Sequence, residues 1–118
     1  MKTDKKRGYD HGVFIPMMVM YPEIKVPVVQ ISILKSMDPE AHFRMGVAMR
    51  GLKKEGFLIL GSGSSVHGSF FEKAGAKWSQ SFDQELTTRI VSSKNEEDLL
   101  NICRDWRKLP NAKQMHPR

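Results

Sequence analysis

"VPVVQISIL", residues Val26–Leu34, decides how this chain is read. The run is rich in β-branched residues and almost wholly apolar. That is the pattern of a strand buried on both faces, as in a parallel sheet. Downstream, Asp38-Pro39-Glu40 joins a capping aspartate, a proline at the first helical position and an acid in the first turn. Together they predict a helix start. Ala41, Met45, Ala48, Met49 and Leu52 recur at helical spacing, and Gly56 ends the helix. Phe57–Leu60 reads as the next buried strand. Strand, helix, strand makes a βαβ unit with a right-handed crossover.

Upstream, Asp10 is placed to cap a short helix within His11–Tyr21. Pro16 interrupts that helix unless it sits in the first turn, which moves the ordered start to about Ile15. Pro22 stops it. Toward the other end, Trp78–Val91 and Glu96–Trp106 read as two more helices, with capping chemistry at Lys94-Asn95. The expected fold class is α/β: a partial three-layer fold with a small, mostly parallel sheet and flanking helices. Two or three strands leave that sheet short of elements, so part of the fold is expected to be missing. Residues 1–8 read as a basic linker or frayed start, and 9–118 as one partial domain.

Bulk composition narrows the function classes. The 118 residues are 40% apolar, with eight Met and six Phe, so a core can form. No apolar run approaches the ~18 residues of a membrane span. The start, MKTDKKRGYD, has no apolar stretch behind it and does not read as a secretory signal. The single Cys103 cannot form an internal disulfide, which points to a reducing compartment, the cytoplasm. The net charge of +6 is scattered along the chain. Without aromatic interleaving it argues for a solvated basic surface and against a nucleic-acid partner.

The chemistry concentrates in "LILGSGSSVHGSFF", Leu58–Phe71. In a parallel sheet, functional groups gather beyond the carboxyl ends of strands. The loop Gly61–Ser65 is not a P-loop, because Val66-His67-Gly68 replaces the terminal Gly-Lys-Ser/Thr. Val66 stands where a dinucleotide fingerprint needs its third glycine, and no register supplies G-x-S-x-G. What remains is a loop of small residues presenting His67. An imidazole titrates near neutrality and can take and return a proton. From the loop alone, a merely exposed or hydrogen-bonded histidine is an equal reading.

The other histidines pass the same test less well. His11 lies in Asp-His-Gly, which alone reads more readily as an ordinary capping turn than as a functional histidine. His42 reads as a packed or solvated residue in the first turn of a helix. His116 belongs to MHPR near the last residue, where order is not expected. No local spacing supplies a metal site. Cys103 reads as a buried structural thiol, Met17, Met18 and Met20 as core, and Trp78 and Trp106 as packing anchors.

Several separated blocks, taken in order, resemble a known family. They are R-G-x-D-H-G at Arg7–Gly12, the M-Y-P helix end at Met20–Pro22 and P-V-V-Q-x-S at Pro27–Ser32. D-P-x-x-H at Asp38–His42 and G-S-G-x-x-x-H at Gly61–His67 follow, and the tail stretches Trp78–Leu86 and Trp106–Arg118 show the same likeness. The pattern is similar to that of the class III extradiol ring-cleavage dioxygenases, in the 4,5-DOPA dioxygenase branch. The resemblance implies a catalytic domain, partial over 9–118, that opens catechol-type rings with O2 at Fe(II), or Zn(II) in some members. The metal acidifies the catechol and holds substrate and O2 together. By the same resemblance His67 is the catalytic proton shuttle, and His11, Gly63 and Ser64 bind substrate. The small loop then lets a planar diol lie against the imidazole.

Two departures accompany the match. Gly68 stands where the family has Asn or Gln. The family's metal histidines fall in portions before Met1 and beyond His116-Pro117-Arg118, so no metal ligand is assigned here and the chain alone is expected to be inactive. Two other readings stay open. One is a non-catalytic anion- or nucleotide-binding α/β module using the Gly61–Ser65 loop. The other is self-association through exposed apolar edges.

Overall fold

A computed structural model describes residues 4–23, 25–65 and 73–116. Five α-helices are present among them: α1 His11–Met20, α2 Pro39–Met49, α3 Lys73–Ser92, α4 Glu96–Asp105 and α5 Ala112–Met115. Single 3-10 segments, Arg50–Glu55 and Trp106–Lys108, extend α2 and α4.

The helix boundaries follow local chemistry. Asp38 accepts the Glu40 N–H at 3.1 Å, and Pro39 fills the first helical position, where its missing donor costs nothing. Gly56 ends the 3-10 extension at φ +85°, a left-handed conformation that suits glycine. Asn95 accepts the Asp98 N–H at 2.9 Å, and Glu96, Glu97 and Asp98 place negative charge at the positive end of α4. Helix α1 begins at His11, not Ile15, and carries Pro16 inside it. Pro16 has no N–H to offer the Gly12 carbonyl one turn back.

The expected sheet is not there. No strand exists among the described residues, and Val26–Leu34 and Phe57–Leu60 run outside any regular element. A β-branched run becomes a strand only when a neighbour completes its ladder and covers its faces. These two runs do not pair with each other, so the βαβ unit and the parallel sheet are both incorrect for this structure. Val29 is 81% exposed and Leu58 71%. Side chains serve the backbone of the first run instead. The Tyr9 hydroxyl donates to the Val28 carbonyl at 2.5 Å, and the Leu34 N–H donates to His42 Nε2 at 2.9 Å.

Packing is carried by helices. Helix α2 lies on α4, α4 on α3, and α3 on α5. The core is a cluster of Phe82, Leu109, Ala112 and Met115, with Trp78, Leu86 and Trp106 packed against it. Both tryptophans are therefore packing anchors. Of the three methionines read as core, Met17 is buried, while Met18 and Met20 are exposed. Across α2 and α4, Glu40 takes bonds from Arg44 and from Arg104, which also reaches Glu97. The Arg44 bond first, then Arg104, holds the Glu40 carboxyl below the usual range.

Candidate functional site

Three sequence blocks that lie far apart in the chain meet at the start of α1. Asp10 is its capping residue by backbone geometry, and the Val13 and Phe14 N–H groups donate to its carbonyl. Its carboxylate also reaches beyond the helix. Gln30 Nε2 donates to Asp10 Oδ2 at 2.6 Å, and Arg7 Nη2 approaches the same oxygen at 3.4 Å. The Gln30 bond, helped by the Arg7 charge, holds the Asp10 carboxyl below its ordinary range. Block R-G-x-D-H-G is thereby tied to block P-V-V-Q-x-S.

The glycine loop closes on the same turn. A Cβ built on Gly12 would lie 3.2 Å from Asp10 Oδ1 and 3.7 Å from Ser62 Oγ. The first of these is tighter than an ordinary contact, so glycine suits the position where the loop comes near. Gly63 has φ +132°, a backbone state that side chains resist. Past it, Ser65 is held from two sides. Its hydroxyl donates to Asp83 Oδ1 of α3 at 3.0 Å, and its carbonyl lies 2.8 Å from His116 Nε2.

The expected site residues fall as follows. His11 is the first residue of α1 and is exposed; Gly63 and Ser64 are exposed on the loop that meets the Gly12 turn. Ser64 has an interaction partner of its own. His67 and Gly68 lie outside the described residues. Three residues belong to the arrangement that sequence reasoning missed: Gln30, Asp83 and His116. Gln30 had a signal, as the one amide in an apolar run. His116 is not a loose end: it is half-buried, with its ring 5.2 Å from that of Trp106 and 5.7 Å from that of Phe82.

His42 does other work. A backbone N–H can only donate, so the Leu34 bond makes Nε2 an acceptor and leaves the ring proton on Nδ1. Nδ1–H then donates to the Asp38 carbonyl at 2.6 Å. His42 joins the 26–34 run to α2. An apolar groove of about 510 Å³ lies beyond it, lined by Phe43, Leu99, Cys103 and Trp106 among others. Cys103 is half-buried there, and burial pushes its thiol up.

The site's charges and donors limit its chemistry. Asp10 lies beside Ser62, by way of the Gly12 turn, and Asp83 binds Ser65. Carboxylates at both ends of the loop disfavour an anion in it. No group of three or more His, Cys, Asp or Glu side chains able to hold a metal ion exists among the described residues. The described part of the chain therefore does not fit a metal by itself. No helix among the described residues is long and apolar enough to cross a membrane.

Residues 1–114 match the family described as the catalytic LigB subunit of aromatic ring-opening dioxygenase. The chain is 40% identical over 121 residues to 4,5-DOPA dioxygenase extradiol of Beta vulgaris, covering 99% of this chain and 44% of the relative. It is 37% identical over 126 residues to dioxygenase tasH of Hapsidospora irregularis, covering 98% of this chain and 39% of that one. The 4,5-DOPA dioxygenase extradiol of Mirabilis jalapa is 35% identical over 121 residues, 98% of this chain and 43% of the relative. The chain thus spans less than half the length of these curated relatives. No solved structure matches it.

Proposed function

This chain belongs to the LigB family of aromatic ring-opening dioxygenases, and from that membership we propose that its gene product opens catechol-type rings by extradiol cleavage with O2. The family is metal-dependent, and a bound Fe(II) or Zn(II) would acidify the diol and favour its reaction with O2. His67 takes and returns the catechol protons. His11, Gly63 and Ser64 form the wall against which the ring lies. DOPA is the substrate class that the relatives' names suggest, and the single cysteine suits the reducing cytoplasm.

One observation carries the reading. The Asp10–Gln30 bond at 2.6 Å and the approach of Ser62 to Gly12 bring together three of the blocks on which the resemblance rests. A loop free of bulky side chains then faces an exposed His11 turn. Such a surface suits a flat, uncharged ring better than an anion. Oxygen uptake with L-DOPA by the gene product tests the proposal. Uptake that disappears in the His67→Ala variant is the expected result; full turnover in that variant would overturn the role given to His67. Phosphate- or nucleotide-dependent thermal stabilisation without ring opening would favour the anion-binding module instead.

A further inference from the structure

We propose that His116 is a positioning residue for the glycine loop. It acts by donating its Nε2–H to the Ser65 carbonyl, and so sets the end of the wall formed by Gly63 and Ser64. The inference rests on the reading of that wall as a substrate surface. The geometry for it is specific. The Ser65 carbonyl can only accept, so the 2.8 Å contact requires the proton on Nε2. The imidazole cannot swing freely, because Trp106 meets it edge-on at 5.2 Å and Phe82 packs at 5.7 Å. Its backbone is tied as well: the His116 N–H donates to the Ala112 carbonyl at 2.8 Å.

The platform beneath is the buried core. Phe82, Leu109, Ala112 and Met115 form the buried cluster, and Asn111 Nδ2 donates to Ser81 Oγ at 2.5 Å. Ser65 is thus gripped at its carbonyl by the α5 end and at its hydroxyl by Asp83 of α3. Two independent bonds to one residue fix both its place and its rotation. Gly61 and Gly63 have open space where a Cβ would stand, so no side chain of theirs pins the loop. A loop so built takes its aim from its anchored end. His67 follows Ser65 by two residues in the sequence.

The test uses two substitutions in the gene product. His116→Phe keeps a ring for Trp106 and Phe82 but removes the donor; His116→Gln restores an N–H near the Nε2 position. With a catechol substrate, His116→Phe is expected to lower kcat by about ten- to a hundredfold, the scale of a misplaced catalytic surface. KM should change less than about threefold, and His116→Gln should recover most of kcat. Amide NMR signals of Gly61–Ser65 should shift in His116→Phe and return in His116→Gln. The wild-type ring should show the Nε2–H tautomer. Unmoved loop signals in a folded His116→Phe variant, or an Nδ1–H tautomer, would overturn the proposal. If the wild type opens no catechol, the proposed function fails, and the loop signals and tautomer still decide the role of His116.

Discussion

Replacing Phe82 with alanine tests where the chain keeps its stability. Phe82 is 2% exposed and shares one cluster with Leu109, Ala112 and Met115. Deleting a buried phenyl ring costs about 3–5 kcal/mol, part lost transfer energy and part cavity. For 118 residues, the unfolding entropy of about 2.1 cal/mol/K per residue turns that cost into a fall in Tm of roughly 12–20 °C. Trp78 and Trp106 pack against the same cluster, so their fluorescence follows its loss in a urea titration. Leu58→Ala is the matched control. Leu58 is 71% exposed, so its truncation should cost less than about 0.5 kcal/mol. Equal losses at the two positions would refute the helical core described here, because Leu58 would then be packed.

Two further substitutions probe the polar contacts. Gln30→Leu removes the amide that, with Arg7, keeps the Asp10 carboxyl low. Folded Asp10 holds its proton less tightly than the unfolded chain does, so its stabilising effect is present above about pH 4 and fades as pH falls through the lowered value. In the variant, the Asp10 carboxyl carbon should titrate at higher pH by NMR; an unchanged midpoint would count against the bond. His42→Phe leaves the half-buried Leu34 N–H without its acceptor, at a cost of about 1–2 kcal/mol in the same urea titration. The wild-type His42 ring should show the Nδ1–H tautomer, and the opposite tautomer would mean that Leu34 is not its donor.

What was legible in the sequence was local. Asp38-Pro39-Glu40, Gly56 and Asn95 each mark a helix boundary through their own conformational chemistry, and each marks one in the structure. The run Val26–Leu34 misled because β-branching reports a preference for a partnered surface, not the presence of a partner. Its apolar side chains are largely exposed, and its backbone bonds go to Tyr9 and His42. The family was legible because it rests on five short blocks in fixed order. The links between those blocks were not: no rule of spacing connects Gln30 with Asp10, or His116 with Ser65 across 51 residues. Closeness to the last residue made His116 look loose, yet aromatic packing holds it.

Asp10 answers to more than its own helix. Its carboxylate feels the Gly12 N–H in the first turn of α1 and also takes the Gln30 amide, twenty residues away. Pro16 interrupts the ten-residue helix from within, and short helices nucleate poorly alone. A tertiary bond at the first turn therefore supplements local coiling, and it ties the turn bearing His11 to a distant segment of the chain.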